Sequence, residues 1–217
     1  MNRLLLFFAI LTVALATACE DDDSFTGSSN ITTEERNLNG FAAIDISNAL
    51  DVRIVQAADF SVSVSANDNL QQRVLTEVNS GLLELGLASG SYRNADITVT
   101  VALPTLRSLA LNDATEAEVN GFADLDALTL VLNSASDLDV TNSSVRALDV
   151  QANAASELRA FGLQAEIADI NASAASDLRL SVSDRLTGRA ADASEVIYRG
   201  NPTVEVEVTE ASTVRRE

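Results

Sequence analysis

The stretch Leu128-Thr129-Leu130-Val131-Leu132-Asn133-Ser134-Ala135-Ser136-Asp137-Leu138 decides the fold, because its pattern recurs through the second half of the 217-residue chain. An alanine, then Ser or Thr, then usually an acid and an apolar residue recur at Ala114, Ala135, Ala155, Ala175, Ala193 and Ala211. Successive alanines are 21, 20, 20, 18 and 18 residues apart. A period near 20 residues is typical of solenoids, in which each repeat forms one coil.

Polar and apolar residues alternate inside each repeat, and this period of two indicates half-buried strands rather than helices. Leu128, Leu130 and Leu132 share one face, for example, whereas Thr129 lies on the other. Turn residues such as Asn120-Gly121 separate the strands. The sequence therefore predicts an all-β protein, a single-stranded parallel β-helix (solenoid) with rungs of about 18–21 residues. If the rungs continue back to residue 34, about nine of them stack at roughly 4.8 Å each.

Two expectations concern the corner that contains the alanine. We expect the alanine to point into a corner that has no room for a larger side chain. Two residues before it lie Asn112, Asn133 and Asn153, whose amides would hydrogen-bond along the axis once the coils stack.

The N-terminus resembles an export signal. Arg3 precedes an apolar run from Leu4 to Ala16, which is too short for a mature membrane span, and we assign residues 1–18 to a lipoprotein signal peptide. Small residues lead into Cys19, the single cysteine of the chain, as in a bacterial lipobox. The alternative is ordinary cleavage after Ala18 with a free thiol. An acidic flexible tether over 19–33 and one domain over 34–217 complete the predicted organisation.

Composition excludes several classes of function. The formal net charge is −18 and the pI is near 4.2, so the surface repels polyanions, and we expect no binding to nucleic acid. The absence of histidine excludes His-based triads and most zinc sites, and one cysteine provides no internal disulfide.

Several motifs, taken in order, resemble the bacterial head GIN domain family, described as putative auto-transporter adhesins of unknown function. They are Arg36, Gly40-Phe41-Ala42-Ala43-Ile44, Asp51-Val52-Arg53-Ile54 and the final Tyr198-Arg199-Gly200-Asn201-Pro202. The resemblance covers about residues 34–217 and carries no established active site, so it implies no catalytic residue. The family's corner usually contains glycine where this chain has alanine. Because alanine is strained at positive φ, we expect a corner with negative φ or one slightly rebuilt.

Stacking would bring four carboxylates together, those of Glu116, Glu118, Asp137 and Asp139, whereas later coils would pair an acid with an arginine. Like charges on adjacent strands repel, and a hard cation such as Ca²⁺ would relieve the repulsion. Two interpretations of this acidic patch, defined by the four residues, remain open: a cation site, or a solvated face screened by salt.

The sequence favours a surface- or envelope-anchored, adhesin-like and non-catalytic binding or scaffold module. Its expected location is the outer membrane at the cell surface, with attachment to the membrane through the lipid on Cys19. Its expected partner is a surface ligand, either a polysaccharide or a protein. A periplasmic binding or sensing protein is the first alternative. A polysaccharide-active β-helix enzyme is the second, although few aromatic residues are present to form sugar platforms.

Overall fold

The computed structural model describes residues 23–217, and nearly all of their regular structure is β-strand. The predicted signal peptide and Cys19 lie outside the described residues. The first part of the chain contains nine strands and one short 3₁₀ helix (Gln71–Arg73). The strands are β1 (Ser24–Thr26), β2 (Ile31–Arg36), β3 (Ala43–Ile46), β4 (Asp51–Gln56), β5 (Ser61–Asn67), β6 (Val74–Asn79), β7 (Leu82–Leu87), β8 (Ser91–Arg93) and β9 (Ile97–Leu103).

The second part is the repetitive region. Its strands are β10 (Ser108–Leu111), β11 (Glu116–Asn120), β12 (Leu125–Leu132), β13 (Asp137–Thr141), β14 (Ser143–Ala152), β15 (Glu157–Ala172), β16 (Asp177–Ala190), β17 (Glu195–Arg199), β18 (Thr203–Val208) and β19 (Thr213–Arg216).

From β10 to β19 the chain winds as a parallel β-solenoid of about five turns, which confirms the predicted fold. Equivalent positions of successive repeats lie side by side, so that Leu130 is paired with Leu109 on one neighbouring strand and with Val150 on the other. All three side chains are at most 1% exposed. One coil cannot enclose an apolar interior, and the stack of coils makes the interior continuous.

The corner between the two strands of each coil contradicts the expected backbone, because two successive residues have positive φ. Ser134 and Ala135 have φ of 57° and 60°. The same doublet recurs at Asn48/Ala49, Asp113/Ala114, Ala154/Ala155, Ala174/Ala175, Asp192/Ala193 and Glu210/Ala211. Hydrogen bonds between coils hold this geometry; the Ala135 amide, for example, donates to the Ala154 carbonyl at 2.8 Å. The corner alanines of this chain therefore adopt positive φ, and the expectation of a corner with negative φ is wrong.

Positive φ also reverses the expected direction of the alanine side chain. Ala135 is exposed, and the following Ser136 is fully buried. The Ser136 hydroxyl donates to the carbonyl of Asn133 at 2.6 Å, and Ser156 and Ser176 repeat this bond in the next coils. A buried hydroxyl group needs a hydrogen-bond partner. The corner can bury a serine hydroxyl because the carbonyl three residues earlier accepts its hydrogen bond.

The predicted ladder of asparagine side chains is present, and it extends by one further residue, Asp45, beyond Asn112. The Asn153 amide donates to Asn133, which donates to Asn112, which in turn donates to the Asp45 carboxylate at 3.1 Å. Burial raises the pKa of Asp45 above its ordinary value; the hydrogen bond from Asn112 lowers it in part, and the charge of Glu84 raises it further.

The first coil, formed by β3 and β4, does not follow sequence order in the stack. It lies between β10–β11 on one side and the later strands β7 and β9 on the other. Antiparallel strands then complete this end: β5 pairs with β9, β2 with β5, and β6 with β7. The buried Gln71 side chain donates to the carbonyls of Thr32 and Val64. These strands and the 3₁₀ helix form a cap on the N-terminal end of the solenoid.

Candidate functional site

Two columns of charged side chains run along one face of the solenoid, because equal positions of successive coils are paired in register. The first column is acidic except at its last position: Asp51, Glu116, Asp137, Glu157, Asp177, Glu195 and Thr213. The second column lies two residues further along each strand and mixes both signs, with one apolar position at Ile197: Arg53, Glu118, Asp139, Arg159, Arg179, Ile197 and Arg215.

Arginines of the second column form ion pairs with the acids, as the sequence predicts for the later coils. Arg159 is 3.0 Å from Asp139 and 2.8 Å from Glu157, and Arg179 also pairs with Glu157. Partial burial lowers the pKa of Arg159, yet the hydrogen bond that its guanidinium donates to Asp139, together with the nearby carboxylates, raises this pKa overall. These side chains are about a third exposed, so each pair contributes no more than about 1 kcal/mol to stability.

The acidic patch assembles as predicted, with Glu116 beside Asp137 and Glu118 beside Asp139. An arginine flanks it on each side: Arg159 belongs to the acid–arginine pairing predicted for the later coils, whereas the position of Arg53 beside Glu118 was not predicted. Arg53 lies 3.6 Å from Glu118, and Arg159 binds Asp139. Over residues 23–217, no group of three or more His, Cys, Asp or Glu side chains is arranged to hold a metal ion. Binding of Ca²⁺ at the patch stays a prediction.

A cleft of about 1060 Å³ lies at the capped end of the solenoid and was not predicted from the sequence. One wall is the corner before β4, and the other is the segment 87–97. We call it the end cleft; it is lined by Asn48, Ala49, Asp51, Leu87, Ala88, Ser89, Gly90, Tyr92, Asn94, Ala95, Asp96 and Ile97. The Asn48 amide joins the two walls by donating to the Leu87 carbonyl at 3.1 Å.

The segment 87–97 is held in place by the start of the described chain. Strand β8 pairs in parallel with β1, and the Tyr92 ring packs on Phe25 with 5.7 Å between centroids. The guanidinium of Arg73 lies 3.6 Å from the centre of the Phe25 ring. Gly90 allows this contact, because a Cβ there would lie 2.6 Å from Cε2 of Phe25. The wall that carries Tyr92 is therefore pre-formed.

The end cleft presents hydrogen-bonding groups rather than an enclosed apolar surface. Asp51, Ser89, Asn94 and Asp96 are exposed, and the Tyr92 ring is half-buried. Carboxylates and amides together can bind vicinal hydroxyls, with carboxylate oxygens accepting and amide nitrogens donating. The sequence contains only a weak indication of the end cleft. The segment Ala88-Ser89-Gly90-Ser91 interrupts the polar–apolar alternation between β7 and β9, but this segment does not indicate that Asp51 lies opposite.

The stacked parallel coils and the antiparallel cap place the chain in the class of capped β-solenoids. The chain belongs to the family described as putative auto-transporter adhesin, head GIN domain, whose profile matches residues 40–202. The family motifs fall on the core and on tight corners: Phe41 and Ile44 are buried, and a Cβ on Gly200 would lie 1.9 Å from the Val182 carbonyl oxygen. The adhesin description of the family suggests a surface or envelope location.

Solved structures with the same fold include a putative adhesin from Bacteroides fragilis, with a TM-score of 0.75 and 15% identity, covering 89% of this chain and 100% of that one. A putative lipid binding protein from Parabacteroides distasonis has a TM-score of 0.58 and 15% identity, covering 90% and 100%. At this identity the likeness shows the fold. The comparison with curated proteins gives no match. Within 23–217, no helix is long and apolar enough to span a membrane.

Proposed function

We propose that the chain is an envelope-anchored, non-catalytic binding module of the adhesin type, and that its ligand binds in the end cleft. The observation that carries the proposal is the end cleft itself. It is large enough for several sugar units, its walls are joined by a hydrogen bond, and exposed carboxylates, amides and hydroxyls line it.

The chemistry of the lining favours a neutral polysaccharide. Asp51 and Asp96 are exposed acids, and the protein carries a net charge of −18, so a polyanion would be repelled. Sugar hydroxyls match the donors and acceptors of Asn48 and Asn94, and the Tyr92 ring offers an apolar surface. An acyl chain fits less well, because this open site is not an enclosed apolar cavity.

The exposure of the same carboxylates supports binding rather than cleavage. Glycosidases hold their catalytic acid in an apolar pocket. Asp51 and Asp96 both lie in solvent. We therefore assign them to recognition.

Anchoring is the second part of the proposal. Lipid on Cys19 would attach the protein to the outer membrane, with residues 19–33 as the tether. The described chain begins beside the end cleft, where β1 pairs with β8. The end cleft would therefore face the envelope that carries the protein, and its ligand would be a polysaccharide of that envelope. Protease treatment of intact cells, with mass spectrometry of the released peptides, distinguishes the cell surface from the periplasm.

The binding test compares two substitutions in one column of acids. Asp51→Asn removes a carboxylate from the end cleft, and Asp177→Asn makes the same change four coils away, through Glu116, Asp137 and Glu157. The full chain is immobilised and exposed to neutral polysaccharides extracted from the producing cells. We expect Asp51→Asn to weaken binding at least tenfold, which corresponds to about 1.4 kcal/mol, and Asp177→Asn to leave it unchanged. Equal effects, or no binding by the unmodified chain, would contradict the proposal.

A further inference from the structure

One hydrogen bond recurs between the corners of successive coils. In each pair of corners, an alanine amide donates to the carbonyl of the first positive-φ residue in the next coil. The Ala49 amide thus donates to the Asp113 carbonyl at 3.0 Å, and the Ala114 amide donates to the Ser134 carbonyl at 2.9 Å. Four further pairs of corners repeat this bond. The accepting carbonyls therefore all point along the axis towards the capped end.

The corner of the first coil differs, because no regular corner precedes it in the stack. Strands β7 and β9 pair in register with β3 and β4, so the segment that joins them, 88–96, takes the place of a preceding corner. A regular corner such as 133–136 has four residues, whereas 88–96 has nine and includes β8. Among residues 23–217, no backbone amide donates to the Asn48 carbonyl. This carbonyl is therefore a free hydrogen-bond acceptor that faces the end cleft.

The opposite wall of the end cleft contributes a hydrogen-bond donor. Asn94 is exposed there, and its side-chain amide nitrogen can donate. The side-chain amide of Asn48 is already occupied, because it donates to the Leu87 carbonyl. The lining also includes Leu87, Ala88 and Ile97, whose side chains are half-buried. The end cleft thus combines an acceptor on one wall, a donor on the other and an apolar surface.

An acetamido group matches these three features together. It is a secondary amide, so its N–H and C=O are held trans and point in opposite directions. The N–H can donate to the Asn48 carbonyl on one wall while the C=O accepts from the Asn94 amide on the other. The methyl group of the acetamido group then contacts the apolar side chains of the lining.

We propose that the end cleft recognises acetamido groups, so that its polysaccharide ligand contains N-acetylated amino sugars. This inference rests on the proposed binding of a neutral polysaccharide in the end cleft and specifies the sugar. A site that presents polar groups to one substituent discriminates against an analogue that leaves those groups unpaired.

Two other sugar substituents match the end cleft less well. A hydroxyl carries its donor and its acceptor on a single atom and has no methyl group. A protonated amino group would be attracted by the carboxylates of Asp51 and Asp96, but it has no acceptor for the Asn94 amide. The acetamido group uses the Asn48 carbonyl, the Asn94 amide and the apolar surface at once.

The test compares three tetrasaccharides that share the same β-1,4-linked backbone and differ at carbon 2. Chitotetraose carries acetamido groups, cellotetraose carries hydroxyls and the glucosamine tetramer carries protonated amines. Binding to the full chain is measured by isothermal titration calorimetry. We expect chitotetraose to bind roughly tenfold more tightly than cellotetraose, or better, and also more tightly than the glucosamine tetramer. Equal binding of chitotetraose and cellotetraose, tightest binding of the glucosamine tetramer, or no binding of chitotetraose would overturn the inference.

A pair of variants assigns the preference to the end cleft. Asn94→Asp removes the amide donor and keeps the size of the side chain, whereas Asn142→Asp makes the same change at the corner between β13 and β14. Asn142 is a matched control because it is also exposed and has the same φ of 48°. We expect the preference for chitotetraose over cellotetraose to fall to about threefold or less in Asn94→Asp and to persist in Asn142→Asp. Thermal unfolding checks that both variants fold, and an equal preference in the two would refute the assignment.

The extracted polysaccharides separate this inference from the proposed function. If they bind and the binding requires Asp51, while chitotetraose binds no better than cellotetraose, recognition of acetamido groups alone is overturned. If the extracted polysaccharides do not bind to the full chain, both proposals are overturned.

Discussion

Replacing corner alanines by glycine should stabilise the protein, because each alanine occupies a backbone region that favours glycine. Ala114, Ala155 and Ala193 have φ of 58°, 62° and 63°. Their side chains are exposed, so removing a methyl group loses little packing. The hydrogen bonds of the corner involve the backbone, which glycine retains. The three positions lie two coils apart, so their effects should add.

The expected gain in stability for each alanine-to-glycine substitution is the difference between two opposing effects. A left-handed conformation costs a non-glycine residue roughly 1–2 kcal/mol. Glycine loses more conformational freedom on folding, which costs about 0.5–1 kcal/mol relative to alanine. The net gain is about 0.5–1 kcal/mol per corner, or roughly 1.5–3 kcal/mol for the triple variant. For a chain of this size, this corresponds to an increase in Tm of roughly 3–12 °C.

Thermal unfolding followed by far-UV circular dichroism measures this shift. Ala127→Gly is the matched control: Ala127 is also exposed, but it lies within β12 and is not among the residues with positive φ. The control should lower stability by about 0.5–1 kcal/mol. If the corner substitutions lowered Tm as the control does, strain at the alanines would not be a feature of this fold.

Four further predictions test other parts of the account. Cys19→Ser should move the protein from the membrane fraction to the soluble fraction of lysed cells, and wash-resistant membrane retention would contradict lipidation. Leu132→Asp should abolish cooperative unfolding, because it buries an unpaired charge, whereas Thr129→Asp on the outward face should fold; equal tolerance in a denaturant titration would mean that the strand register is wrong. Asp45→Asn should stabilise the protein at pH 7, because the raised pKa of Asp45 makes its ionised form unfavourable in the folded state; the gain should disappear as pH falls below the ordinary carboxyl pKa of 3.8, in melts recorded across pH. At the acidic patch, Ca²⁺ at fixed ionic strength should raise Tm saturably if the patch is a site; a flat titration would leave it a solvated face, which the flanking arginines favour.

The repetitive part of the fold was predictable because every repeat contains the polar–apolar alternation that determines its strand register. When a strand stacks on copies of itself, alternation in one repeat fixes which residues face inward in all of them, as at Leu130 and Val150. The asparagine ladder followed from the same logic, because equal positions must become neighbours. The direction of Ala135 did not follow, since it depends on the sign of φ, and the sequence pattern carries no information on that sign.

The capped end could not be derived from the sequence. Polar and apolar residues alternate in β7 and β9 as in the other strands, but the recurring alanine motif of the corners does not occur between them. Their place beside β3 and β4 is set by tertiary pairing alone. The end cleft depends on that placement. It brings Asp51 opposite Asp96, two residues 45 positions apart that belong to no shared motif. The acidic patch, in contrast, followed directly from the repeat.

Hydrogen exchange of the full chain, with and without the envelope polysaccharide, tests the central claim most directly. If the end cleft binds the ligand, exchange should slow across residues 87–97 and at the corner around Asn48 and Asp51. The charged columns on β13, β15 and β16 should exchange at the same rate in both states. Protection confined to those columns, or absent from 87–97 under conditions where the polysaccharide is bound, would contradict the assignment of the end cleft as the binding site.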